Sequence, residues 1–243
     1  MRKKNIMVTG ASRGLGLAIT RRLISEGFNV MAVARNMTAE LKELMAHSSA
    51  GEISFHEFDL NNVNDIPIFV RKVTGSNKGI WGLVNNAAVG HDGMLPTQHD
   101  SEIEELIRVN VQAPILLAKY VSRSMLIGGG GRIINVSSII ATTGYKGLAV
   151  YGATKAAMIG FSRSLARDLG GAKITVNAVA PGYMETEMTQ GLDDVKLASV
   201  RRRSPLGALT TPDQVAGSVA FLLSDDAQTI TGTVLTVDAG STA

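Results

Sequence analysis

The chain of 243 residues contains no cysteine. That absence excludes a disulfide framework, a thiolate nucleophile and a Cys-ligated zinc site, and it suits a reducing compartment. Aromatic side chains make up only 5% of the residues, too few for a platform that stacks single-stranded nucleic acid. No apolar run approaches the roughly 20 residues that a membrane span requires. The basic lead Met1-Arg2-Lys3-Lys4 enters Ile6-Met7-Val8 almost at once, and that run is too short for a signal-peptide core. Charge of one sign is also scarce, with a formal net charge of +3. The one dense basic cluster, Arg201-Arg202-Arg203, reads either as a solvated helix face or as a contact for an anionic ligand. The four histidines lack metal-ligand spacing, so no metal role is assigned. The expectation is a cytoplasmic protein that binds neither nucleic acid nor membrane.

Hydrophobic content of 45% without a low-complexity tract supports a large core. Short apolar runs alternate with helix-period segments from end to end. The strands expected are Ile6–Thr9, Val30–Ala34, Ile53–Phe58, Gly82–Asn85, Arg132–Val136, Ile174–Ala178 and Thr233–Val237. The helices expected between them are Leu15–Glu26, Ala39–His47, Val63–Val73, Glu102–Met125, Val150–Leu169 and Pro212–Leu223. Near-continuous apolar strands separated by helices predict a parallel seven-stranded sheet covered on both faces. The fold class is therefore α/β, a doubly wound (Rossmann-type) arrangement. Nothing resembles an interdomain linker, and residues 1–243 read as one domain.

Three local features carry chemistry. First, Gly10-Ala11-Ser12-Arg13-Gly14-Leu15-Gly16 follows the first strand and opens the first helix. Glycines there allow a tight turn and close approach of a pyrophosphate, whose charge is favoured at a helix N-terminus. The spacing G-x3-G-x-G is neither the dinucleotide fingerprint G-x-G-x-x-G nor a P-loop, and a turn used only for packing is the plain alternative. Second, the second strand ends at Val33-Ala34-Arg35 without the acid that would bind ribose hydroxyls in an NAD site. Arg13 and Arg35 offer guanidinium forks matched to a 2′-phosphate, which favours NADP(H) over a reading as two surface arginines. Third, Tyr151 and Lys155 lie four apart on one helix face. An ammonium beside a phenol favours the phenolate and lowers its pKa, giving a proton donor for alcohol–carbonyl chemistry. Such pairs also occur by chance on helix surfaces. No G-x-S-x-G elbow surrounds Ser138 or any other serine, which argues against a serine hydrolase.

Taken in order, Thr9–Gly16, Asp59-Leu60, Asn85-Asn86-Ala87, Asn110, Ser138, Tyr151-x3-Lys155 and Pro181-Gly182 make the chain resemble the short-chain dehydrogenase/reductases, over essentially its whole length. Within them it resembles the 3-oxoacyl-[acyl-carrier-protein] reductases. The resemblance implies that Tyr151 is the general acid and that Lys155 lowers its pKa and holds the nicotinamide ribose. It implies further that Ser138, rather than its neighbour Ser137, bonds the substrate carbonyl, and that Asn110 holds a water leading to bulk protons. The cofactor residues it implies are Gly10, Ser12, Arg13, Gly14, Leu15, Gly16, Arg35, Asp59, Leu60, Asn86, Ala87, Tyr151, Lys155, Pro181, Gly182, Met184 and Thr186. Asp59 would meet the adenine edge, Asn86 the adenine ribose and Thr186 the nicotinamide carboxamide. Each has a plain counterpart: Asp59 as a helix N-terminal acid, Asn85-Asn86 as turn residues, Asn110 as a buried amide bonded to a neighbouring carbonyl.

Two departures bear on substrate. Ala88 stands where the family commonly has glycine, and Ala239 replaces another. The segments Ile127–Gly131 and Gly170–Lys173, often basic in carrier-protein reductases, contain only Lys173 as a charge, which weakens docking of an anionic carrier. Asp92-Gly93-Met94-Leu95 does match that subgroup. The expectation is an NADPH-dependent reductase of a 3-oxoacyl thioester on an acyl carrier protein. The alternatives are a reductase of free ketones, quinones or a specialised polyketide intermediate, and a catalytically idle cofactor-binding sensor or assembly protein. The resemblance also implies a homotetramer built through the long helices Glu102–Met125 and Val150–Leu169 and the C-terminal segment, and residues 187–204 are expected to form a mobile lid.

Overall fold

The computed structural model describes residues 3–48, 51–75, 79–184 and 201–243. Seven parallel strands form one sheet: β1 (Asn5–Thr9), β2 (Asn29–Ala34), β3 (Ile53–Glu57), β4 (Gly82–Asn85), β5 (Gly131–Val136), β6 (Ile174–Pro181) and β7 (Val234–Val237). Their spatial order is β3-β2-β1-β4-β5-β6-β7. The helices are α1 (Gly14–Ser25), α2 (Ala39–His47), α3 (Ile66–Thr74), α4 (Asp100–Ile107), α5 (Ala113–Gly128), α6 (Ile140–Thr143), α7 (Ala149–Leu169) and α8 (Pro212–Leu223). Chain direction through the order reverses between β1 and β4, and such a switch point opens a crevice at the carboxyl edge of a parallel sheet. The doubly wound α/β fold expected from the alternation of runs is the fold observed.

The strands are apolar on both faces because helices cover both. Side chains alternate in direction along a strand. Ile6, Val8, Val30, Ala32, Val84, Ile134, Val136 and Val179 therefore meet α1 and α8 on one face. Met7, Met31, Val33, Leu83, Ile133 and Val176 meet α3 and α5 on the other. The strand expectations hold to within one residue except at β6, which runs on to Pro181. That extension pairs with β7, where Pro181 stands opposite Val237.

The helix expected over Glu102–Met125 is interrupted. Arg108–Gln112 forms a π turn between α4 and α5, closed by the Ala113 amide donating to the Arg108 carbonyl. The cause is in the sequence: Pro114 has no N–H, so it withholds the bond an α-helix would give to the Asn110 carbonyl. The helix expected over Val63–Val73 likewise opens with a 3₁₀ turn at Val63–Asp65 before Pro67 enters α3. Among the described residues no helix is long and apolar enough to cross a membrane.

A buried amide chain ties the sheet to α7. Asn85 Nδ2 donates to Asn135 Oδ1 at 2.8 Å, and Asn135 Nδ2 donates to Ser162 Oγ at 2.8 Å. Ser162 in turn donates to the Met158 carbonyl at 2.7 Å. Asn135 is fully buried, so truncating it strands both neighbours away from water. Asn135→Ala is expected to lose about 2–4 kcal/mol in urea unfolding; an unchanged midpoint would contradict this role for the chain.

Candidate active site

The site is assembled where the strands end. β1 delivers the glycine-rich turn, β4 delivers Asn86 and Ala87, β5 delivers Ser138, β6 delivers Gly182, and α7 brings Tyr151 and Lys155 across the top. Gly10 has φ +65° and Gly14 φ +53°, a region that L side chains avoid. At Gly16 space is the constraint: a Cβ would lie 2.0 Å from the Gly10 carbonyl oxygen and 2.6 Å from Asn86 Nδ2. Asn86 stitches this turn to β4. Its Nδ2 donates to the Thr9 carbonyl at 2.9 Å and to Gly10 O at 3.4 Å. The amides of Asn86 and Ala87 both donate to Thr9 Oγ1 at 3.0 Å. The amide of Asn86 is thus committed to holding the turn, a task the residue type alone does not reveal.

The glycine-rich turn fits a nucleotide phosphate. Helix α1 begins after Arg13 with no side chain capping its first turn and no acid within it, so its amides face outward as donors. Arg13 and Arg35 are both exposed at this edge, and Thr38 anchors the segment after β2 by donating to the Ser12 carbonyl at 2.6 Å. Leu15 is half-buried. Asp59 accepts from the Asn61 amide at 2.9 Å, and Leu60 is buried in the α3–α5 face of the core. Pro181 is the buried last residue of β6, and Gly182 donates to the Val237 carbonyl at 2.8 Å. Met184 packs half-buried on the α1–α8 face of the core. Thr186 lies outside the described residues, as does 187–200 of the expected lid; Arg201–Arg203 are exposed.

Ser138 and Tyr151 are brought together at the exit of β5, with Tyr151 half-buried and the Ser138 hydroxyl accepting from the Ile140 amide at 3.2 Å. Burial raises the Tyr151 phenol above its ordinary value, and the neighbouring Ser138 hydroxyl opposes that rise. Lys155 is 3% exposed, its Nζ donating to the Val136 carbonyl at 3.0 Å and lying 5.6 Å from the Tyr151 ring centroid. Burial lowers its ammonium from 10.5 to about 8. The expectation that Lys155 depresses the tyrosine is therefore corrected for this geometry: the ammonium is turned to β5, and desolvation dominates both groups. Ser137, adjacent to Ser138, has another task. Its hydroxyl donates to the Lys155 carbonyl at 2.8 Å and pins α7 to the end of β5.

Asn110 sits in the π turn and is 2% exposed. Its Oδ1 accepts from the Val89 amide at 2.8 Å, and its Nδ2 donates to Val89 O at 2.9 Å and Thr154 Oγ1 at 3.2 Å. The side chain thus fastens the loop after β4 to α7. A water at Asn110 would have to use the backbone carbonyl that Pro114 leaves without its α-helical donor. His91 in the same loop bonds Glu105 at 2.8 Å.

Comparison with known proteins follows the same lines. The family model described as enoyl-(acyl carrier protein) reductase matches residues 10–242. A 3-oxoacyl-[acyl-carrier-protein] reductase of Salmonella typhimurium is 38% identical over 243 positions, covering 98% of this chain and 96% of that protein. Carbonyl reductase family member 4 of Xenopus tropicalis is 36% identical over 236 positions, covering 96% of this chain and 95% of that protein. A crystal structure of a short chain dehydrogenase from Burkholderia cenocepacia in complex with NADP superposes with a TM-score of 0.91 at 34% identity, covering 99% of this chain and 98% of that one.

The buried lysine has a measurable cost. Its pKa falls from 10.5 unfolded to about 8 folded, so the unfolded state binds the extra proton between those values and stability rises with pH across that window. Below pH 8 the full penalty applies, on the order of 3 kcal/mol. Lys155→Met is expected to be more stable than wild type by about 2–3 kcal/mol at pH 7, with the gap closing as pH rises toward 10.5. Urea unfolding across pH checks this; a destabilised Met variant at pH 7 would contradict it.

Proposed function

Because the chain belongs to the short-chain dehydrogenase/reductase family, we propose that it is an NADPH-dependent reductase of 3-oxoacyl thioesters carried on an acyl carrier protein, working as one domain. The observation that carries this is the placing of Ser138 beside Tyr151, with Lys155 buried next to them, at the sheet edge where the glycine-rich turn opens α1. The cofactor supplies a hydride, and the protein positions the carbonyl and provides the proton. Ser138 and Tyr151 donate to one carbonyl oxygen and stabilise the charge that develops on it. Tyr151 then gives up its proton, yielding the 3-hydroxyacyl product. Lys155, protonated below about pH 8, would favour the phenolate left behind once its ammonium turns from the Val136 carbonyl toward the ring. Catalytic roles for Asn110, Ser138, Tyr151 and Lys155, and cofactor roles for the residues of the turn, belong to this reading.

Exposed Arg13 and Arg35 support NADPH over NADH, since no acid occupies the end of β2. The names of the curated 3-oxoacyl reductases support the thioester, and the carbonyl reductase relative supports free ketones as the second reading. Exposed Ile107, Ile115, Leu126 and Ile127 on α4 and α5 support assembly into a homotetramer through the long helices.

NADPH oxidation with acetoacetyl, crotonyl and free-ketone substrates separates these readings. Turnover of the acetoacetyl thioester, lost by about 10²–10⁴-fold in Tyr151→Phe, is expected. Preference for crotonyl thioester would move the reaction to the double bond, and preference for free ketones would remove the carrier. Reductive turnover is expected to fall as pH rises through about 8, where Lys155 loses its proton; a flat profile to pH 10 would argue against that role. Arg35→Ala is expected to raise KM for NADPH about 10-fold while leaving KM for NADH unchanged; equal effects on both would show that Arg35 does not read the 2′-phosphate.

A further inference from the structure

The last residues of the chain form a turn at the carboxyl end of β7, and Asp238 is its centre. Asp238 Oδ1 accepts from the Gly240 amide at 2.9 Å. Its Oδ2 accepts from the Ser241 hydroxyl at 3.1 Å, the Thr242 amide at 2.9 Å and the Thr242 hydroxyl at 2.7 Å. Burial pushes the carboxyl up, and these hydrogen bonds outweigh it, holding Asp238 below its ordinary value. Hydrogen bonds to an ionised acceptor are the strong ones, and here they fix a turn that lies outside any helix or strand.

This turn supports both ends of one connection. Between β6 and α8 the chain leaves the sheet at Gly182 and returns through residues 201–211. At the departing end the Gly182 amide donates to the Val237 carbonyl at 2.8 Å, and Gly182 lies hard against Asp238. At the returning end the Thr210 hydroxyl donates to the same Val237 carbonyl at 3.2 Å. The Ala239 carbonyl accepts from the Ser204 hydroxyl at 2.6 Å and from the Leu206 amide at 3.4 Å. Ser204 and Thr210 are both buried, so water is a poor substitute for either bond. Ala239 itself sits at φ +55°, a left-handed conformation costly for a residue with a Cβ. Such strain persists where the surrounding contacts over-determine the backbone.

The departing end is also held from the catalytic side. The Pro181 carbonyl accepts from the Ile139 amide at 3.0 Å, one residue beyond Ser138. The exit of β6 is therefore gripped between the residue after Ser138 and the turn after β7. In the sheet order β6 and β7 stand at one end, whereas β1, β2 and β3, which lead to the glycine-rich turn, Arg35 and Asp59, stand at the other. A change at the Asp238 turn bears on the first group and leaves the second in place.

We propose that Asp238 is a positioning residue for the reaction: its turn locks the two ends of the β6–α8 connection to each other and so sets the nicotinamide end of the cofactor cleft. This rests on the reading of Gly182 and Met184 as cofactor contacts. Asp238 touches none of Ser138, Tyr151 and Lys155 through a hydrogen bond in the structure, and it acts through Gly182.

Asp238→Ala removes the centre of the turn, and Ser204→Ala, the milder change, removes one tie from the returning end. The first readout is amide hydrogen exchange without cofactor. The Gly182 amide is expected to exchange about 10-fold faster in each variant. In Ser204→Ala that amide is remote in sequence from the substitution, so a merely local role for Ser204 would leave it unchanged. The second readout compares NADPH with adenosine 2′,5′-bisphosphate, which carries the adenine half and the 2′-phosphate but no nicotinamide. Each variant is expected to raise Kd for NADPH about 10-fold and to leave Kd for the bisphosphate unchanged. Unchanged Gly182 exchange in Ser204→Ala, unchanged NADPH binding, or equal weakening of both ligands would each overturn the proposal. No NADPH binding by the wild type would refute the cofactor reading instead, and the Gly182 exchange would still decide whether the turn couples the two ends.

Discussion

Everything at the catalytic edge depends on keeping one ammonium almost dry. Lys155 donates to the last carbonyl of β5 while its own carbonyl accepts from Ser137, so two hydrogen bonds lock α7 to the strand that carries Ser138. Further down the same helix, Ser162 is tied through Asn135 to Asn85 and hence to the middle of the sheet. Tyr151 cannot shift against Ser138 without breaking one of these ties. The penalty for burying the cation is accepted because the same burial leaves its pKa near the working range, where a proton can be held or released.

The parallel sheet sets the division of labour. Every strand points its carboxyl end to one edge, which gathers the glycine-rich turn, the Asn86 stitch, Ser138 and Gly182 although they are far apart in the chain. At Gly182 a Cβ would lie 2.7 Å from Asp238 Cα, so the exit of β6 can lie against the end of β7 only without a side chain. The other edge collects what precedes the strands, among them Lys4, Trp81 and Arg132.

Strand positions, the order of helices and the Ser138–Tyr151–Lys155 set were legible because each is written in local pattern: apolar runs, a four-residue spacing, a serine at a strand exit. The π turn was not, since apolar periodicity over a few residues is the same for α and π geometry; Pro114 was the available signal. The task of Asn86 depended on a turn and a strand that meet only through the sheet order. The direction of the Tyr151 shift depended on burial, which a spacing does not report. The contacts expected of Thr186 lie outside the described residues.

The most direct test of the central claim is site-resolved titration of Lys155 by ¹³Cε NMR in selectively labelled protein, assigned by comparison with Lys155→Met. The account predicts a midpoint near 8 in the protein without cofactor, well below that of the surface lysines. A midpoint near 10.5, the ordinary lysine value, would mean that the ammonium is solvated. The coupling of burial, helix docking and proton supply would then be wrong.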